Sequence, residues 1–148
     1  MDALTLAHSF LLSDLSAFGF VEAIRIVEGH VDVFAVRLSD DGQPVGRRRH
    51  LCRRETGDAL FAAPVSGATG LLCVRSSDAT AVPLDRALMS PSDYAALIDD
   101  WVQALARSVF RDQAPKESVQ PPTDQRMEVE EGAILRSRER VLWVTVED

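Results

Sequence analysis

Val31-Asp32-Val33-Phe34-Ala35-Val36-Arg37-Leu38, then Asp40-Asp41-Gly42, then Arg47-Arg48-Arg49-His50-Leu51-Cys52-Arg53-Arg54, is the stretch that sets the architecture. The first run is rich in β-branched and apolar residues and reads as a strand. The Asp-Gly step signals a hairpin, because its second residue accepts the positive φ that tight turns need. The arginine run is then the returning strand. Upstream, Phe20 to Val27 is a second strand-like run, set off by Glu28-Gly29 as a tight turn or bulge. Downstream, Thr56-Gly57-Asp58 breaks the pattern, and Ala59 to Ala63 starts another short strand. Pro64 to Gly70 is small and turn-rich, and Leu71 to Arg75 and Ala79 to Leu84 close the β-rich part. Six short runs with regular turn signals predict a sandwich, jelly roll or barrel.

Helices are expected on either side. Leu4, Ala7, Leu11, Leu15 and Phe18 recur at three-to-four spacing, with Asp2 as N-cap and Gly19 as stop. The second helix is the clearest element, over residues 90–112. Ser90-Pro91-Ser92-Asp93 supplies a capping hydroxyl, a proline at the first helical position and an acid three residues on. Tyr94, Leu97, Ile98, Trp101, Val102, Leu105 and Val109 then fall on one face, with Tyr94 and Trp101 as core anchors. Residues 1–112 therefore read as a mainly β domain with flanking helices, and residues 113–125, with Pro115, Pro121 and Pro122, as a linker. Residues 126–148 turn strand-like again at Met127–Glu130, Gly132–Leu135 and Val141–Val146. Their Glu131-Gly132 step weakly echoes Glu28-Gly29. They read as the start of a second, similar domain or as strands swapped onto the first.

The chain has 148 residues, 46% of them apolar and 26% charged. That size buries enough surface to fold without disulfide or metal. The formal net charge is −7, which argues against wholesale binding of nucleic acid or anionic membrane. No apolar run approaches the ~20 residues of a membrane span. Met1 to Phe10 has no basic region of a secretory signal, so a cytoplasmic location is expected. The charge is unevenly placed. Residues 1–46 hold seven acids and two arginines, residues 47–54 five arginines and no acid, and residues 55–148 sixteen acids against nine bases.

Catalytic motifs are missing: no phosphate-binding glycine loop, no nucleophile elbow and no His-x-His pair. Cys52 and Cys73 have no Cys-x-x-Cys spacing, and with His8, His30 and His50 they do not make a metal site. They read as small buried thiols, with a disulfide or an arginine-activated thiolate at Cys52 as the alternatives. No cofactor, no metal and no enzyme activity of the chain itself are expected.

Arg47, Arg48, Arg49, Arg53 and Arg54 are the candidate site, for an anion or a partner. In the plainer reading they are a solvated edge strand kept soluble by charge. In the other they grip something acidic, because guanidinium offers planar two-pronged contacts to carboxylate or phosphate. Pairing within the chain, to Asp32, Asp40, Asp41 or Glu55, is open as well.

Glu55-Thr56-Gly57-Asp58-Ala59-Leu60-Phe61, after an arginine strand, resembles the cyclic-nucleotide-binding and cupin-like jelly roll. The stretch Ala62 to Gly70 lacks the Glu and Arg of that family's phosphate cassette, so nucleotide binding is not implied. Gly29 to Val36, Arg48 to Phe61, the helix around Trp101-Val102 and Val141-Leu142-Trp143-Val144 together resemble the N-terminal soluble region of NHLM/NHLP-type ABC transporters that export bacteriocins. The resemblance implies a cytoplasmic regulatory or recognition domain without transmembrane, ATPase or peptidase parts of its own. Its partners would be an acidic leader peptide or other domains of the transporter. Two readings stand beside it: a small acidic secretion chaperone or adaptor, active as a homodimer, and a cupin-like small-ligand-binding protein.

Overall fold

The computed structural model describes residues 6–18, 22–109, 119, 127–130, 133–135, 141 and 143–144. Among these residues seven strands form two antiparallel sheets. They are β1 (Ser9–Leu11), β2 (Ala23–Glu28), β3 (His30–Leu38), β4 (Pro44–Glu55), β5 (Ala59–Phe61), β6 (Thr69–Arg75) and β7 (Thr80–Pro83). One sheet runs β1-β6-β3-β4 and the other β5-β2-β7. Among the described residues one α-helix, α1 (Pro91–Val109), follows β7.

The two sheets meet across one apolar core. Val31, Val33, Cys73 and Phe10 from the larger sheet pack with Ile24, Ile26, Leu60 and Ala81 from the smaller. Ile24, Leu60, Val31 and Val33 are wholly inaccessible to water. Alternation along β3 sends its other side chains to the opposite face. There Val36, Leu38 and Leu72 are buried in a second cluster with Leu11, Phe34 and Val74. The central strands β3 and β6 are thus apolar on both faces.

The hairpin expected at Asp40-Asp41-Gly42 joins β3 to β4, and the arginine run is indeed the returning strand. The Glu28-Gly29 break is a tight step from one sheet to the other. Gly29 has φ +71°, and a Cβ there would lie 2.8 Å from the Ala79 backbone. No other residue fits without moving that chain.

The N-terminal segment corrects the expectation of a helix. Ser9–Leu11 is a strand paired with β6, and Leu12–Phe18 is a 3-10 helix. The reason is tertiary. Phe10 sits opposite Cys73 and enters the core, while Leu12 and Leu15, three apart, align on one side of a three-residue turn and are fully buried. Apolar spacing of three to four residues serves this arrangement as well as it serves an α-helix. Asp2, Leu4 and Gly19 lie outside the described residues.

Helix α1 begins as expected. The Ser90 hydroxyl accepts from the Asp93 amide at 3.1 Å and donates to the Asp93 carboxylate at 2.7 Å. The helix packs on β4 and β5, the neighbouring edges of the two sheets. Trp101 is buried in the core, and Tyr94 meets the Phe61 ring edge-on at 5.8 Å. Val102 departs from the expected face and is exposed. Met127–Glu130 belongs to no ladder, and Leu135 makes one isolated parallel bridge to Val119. Ala133, Ile134, Val141, Trp143 and Val144 are likewise in no strand, and Trp143 Nε1 donates to the Asp99 carboxylate on α1 at 2.6 Å. The remaining residues of the expected linker and C-terminal strands lie outside the described residues. Among the described residues no helix is long and apolar enough to cross a membrane.

Candidate functional site

Strand β4 is an edge of the larger sheet, and it is irregular twice. Its ladder with β3 shifts between Val33 and Phe34, where Leu51 is the extra residue. It shifts again between Ala35 and Arg37, where Gly46, Arg47 and Arg48 together oppose Val36. Gly46, at φ +73° with open space around it, is what lets the strand bulge there. Bulges and charge are the usual defences of an edge against pairing with another chain.

The five arginines have three different situations. Arg53 lies directly opposite Asp32 on β3 and grips it with both prongs, Nε to Oδ1 at 3.0 Å and Nη2 to Oδ2 at 2.8 Å. His50 Nε2 lies 3.0 Å from the same Oδ1, and His30 Nε2 3.9 Å from Oδ2. The Arg53 hydrogen bonds, helped by His50 and opposed by burial, hold the Asp32 carboxyl below its ordinary value of 3.8. A carboxylate only accepts, so His50 Nε2 donates. The His50 ring also meets Phe34 edge-on at 5.2 Å.

Arg49 and Arg54 are spent on the helix. Arg49 Nη2 donates to the Ser108 carbonyl at 3.0 Å, in the last turn of α1, where free carbonyls favour a cation. Arg54 is buried, with its side chain only 5% exposed. Its Nη2 donates to Asp100 on α1, and its Nε lies 3.4 Å from Asp58 Oδ2. The Nε contact is an ion pair by distance only, since this buried nitrogen makes no hydrogen bond. Asp58 Oδ2 accepts instead from the Glu55 amide at 2.8 Å.

Arg47 and Arg48 are exposed and have no hydrogen-bond or ion-pair partner among the described residues. The sequence-derived group of five is therefore divided. Three arginines act within the fold, and the two at the Gly46 bulge are free to meet a ligand.

The cysteines are held away from reactivity. Cys52 and Cys73 both face Val33, one from each neighbouring strand. Two strand spacings, about 9.6 Å, separate their backbones, beyond disulfide reach. Both are free thiols. Burial raises the Cys52 thiol, outweighing the lowering by Arg54, and burial raises Cys73 much further. At half-buried Cys52 the surroundings thus oppose the thiolate that neighbouring arginines would favour.

The sequence pointed to Asp32 among several possible acids but gave no sign of Asp100 or Ser108, which lie 46 and 59 residues from the arginines they meet. Ala62 to Ala68 forms a loop with a turn at Gly67 that leads into β6 at Thr69, and no Arg or Glu stands in Ala62 to Gly70. Among the described residues no group of three or more His, Cys, Asp or Glu side chains has the geometry to hold a metal ion. No family model matches the chain, and no curated protein matches it significantly.

Proposed function

We propose that the chain is a recognition module that binds an acidic peptide segment through the β4 edge, as a cytoplasmic domain of an ABC transporter exporting ribosomal peptides. The observation that carries the binding half is the pair Arg47 and Arg48, exposed and without a partner among the described residues, on a bulged edge strand of a chain with net charge −7. An acidic chain that keeps two adjacent guanidinium groups unneutralised has a local attraction for carboxylates that its net charge hides. The transporter half rests on the resemblance of Gly29 to Val36 and Arg48 to Phe61 to that family. The chain binds and positions, with transport and ATP hydrolysis left to other parts of such a transporter.

A jelly roll related to the cyclic-nucleotide-binding fold is the finer architecture that goes with this reading. Its support is the nested pairing of β2 with β7 in one sheet and β3 with β6 in the other, the winding of a rolled-up hairpin. The stretch Ala62 to Gly70, without a cation, leaves a nucleotide phosphate nothing to offset its desolvation.

The test is fluorescence anisotropy with a labelled acidic peptide at low and raised salt. Replacing both Arg47 and Arg48 by Ala is expected to weaken binding by about tenfold or more, given the strength of charge-assisted hydrogen bonds, and to flatten the salt dependence. Unchanged affinity and salt slope in that double variant would refute the binding role. The coding sequence downstream of Asp148 checks the transporter half, where a membrane domain and an ATPase are expected.

A further inference from the structure

Arg37 is a sixth arginine at this end of the sheet, and it lies outside the run 47–54. It stands on β3 directly opposite Val45 of β4 and, on its other side, opposite Thr69 of β6. Side chains directly opposed across a ladder share a face. Arg37 is exposed and has no hydrogen-bond or ion-pair partner among the described residues. Its cross-strand neighbours are uncharged. The nearest acids in sequence are those of the hairpin turn. Asp41 there already accepts from the Ser39 hydroxyl, while Asp40 is exposed. Val45, 41% exposed, is an apolar side chain left in water between Arg37 and the Gly46 bulge.

We infer that Arg37 and Val45 complete the surface that Arg47 and Arg48 begin, and that this surface takes a peptide segment carrying an apolar residue beside its carboxylates. The inference rests on the acidic-peptide reading given above and specifies its ligand. Charge complementarity selects an anion. The distribution of the cations selects a peptide over a single phosphate. Arg37 sits one strand, about 4.8 Å, in from the edge, and Arg47 and Arg48 lie two and three residues past Val45, so the three side chains start from separate points of the backbone along the edge. Spread cations suit several carboxylates carried on one chain. An exposed valine among them gives an apolar neighbour a place to leave water.

The probe is a labelled Glu-Glu-Leu-Glu-Glu peptide, compared with an all-Glu peptide of the same length and with inorganic phosphate as competitor. Arg37→Gln is expected to weaken the leucine-containing peptide by about five- to tenfold, the size of one partly exposed charge-assisted contact. Val45→Thr is expected to remove most of the preference for leucine over the all-Glu peptide. Phosphate at millimolar concentration is expected to compete weakly. Arg37 has no hydrogen-bond or ion-pair partner among the described residues, so thermal melting should match the parent and show that the variant is folded. If Arg47→Ala/Arg48→Ala loses binding while Arg37→Gln does not, Arg37 has no part in the surface and the broader reading survives. If neither changes binding, both fall. Phosphate displacing the peptide at equal concentration, or equal affinity for the two peptides, would mark a plain anion site and overturn the assigned ligand.

Discussion

Two acids show how one residue type does different work. Asp32, its side chain 19% exposed, is gripped by Arg53 and His50, and its carboxyl lies below the ordinary value. A depressed carboxyl stabilises the fold at every pH above its unfolded value and loses that contribution as pH falls through the folded one. Asp32→Asn should therefore cost about 1 kcal/mol at pH 7, because Arg53 is half exposed and screened. In urea denaturation the gap between variant and parent should close below about pH 4, near the ordinary aspartate value. A gap that stays constant down to pH 3 would mean the pair contributes nothing through charge. Asp100 is different, because it is half exposed while its partner Arg54 is buried. Removing the acid strands a guanidinium in the interior, with only Asp58 near it. Removing the arginine leaves an acid that water can solvate. Asp100→Ala should cost about 2 kcal/mol and Arg54→Met clearly less, by the logic that a buried unpaired charge is the expensive partner. The reverse order in chemical denaturation would contradict the assigned burial.

At the scale of elements, strand identity was largely legible and register was not. Val31 to Leu38, Asp41-Gly42 and the breaks at Glu28-Gly29 and Thr56-Gly57 mark the strands by alternation and turn chemistry, and β3 and β4 fall where those signals put them. The ladder, however, starts with Leu38 opposite Pro44 and gains three extra residues on β4 at its two bulges. A hairpin without bulges would set Asp32 opposite His50, and the bulges bring Arg53 there instead. Only Gly46 hints at them in the sequence, since a lone glycine in a strand marks a bulge without fixing its size. The N-terminal segment departs from its helical pattern for a related reason. Leu12 and Leu15 have helical spacing, but pairing of Phe10 with Cys73 decides the preceding backbone, and that partner is over sixty residues away. The candidate site was half legible. An arginine cluster is visible as composition. Which arginines are free depends on Asp32, Asp100 and Ser108, contributed by another strand and by a helix whose docking no local pattern encodes.

For the whole molecule, net charge and charge in reach of a partner are separate quantities. The chain carries −7 overall and five arginines on one strand, yet three of those five are committed to Asp32, Asp100 and a helix carbonyl. Salt should thus affect association through few charges, and stability through others, in the same strand. The larger sheet also sorts its strands by how hard they are to open. Backbone amides exchange with solvent according to the free energy of exposing them. Strands β3 and β6 have a neighbour on each side and apolar cover on both faces, whereas β4 has a strand on one side only and two breaks in its ladder. In native-state hydrogen exchange followed by mass spectrometry, peptides from β3 and β6 should be the last to take up deuterium, and the segment around Gly46 to Arg48 among the first. The surface that meets a partner would then be the part of the sheet that opens most readily, so an acidic ligand should leave its mark as slowed exchange at the edge and unchanged exchange at the centre.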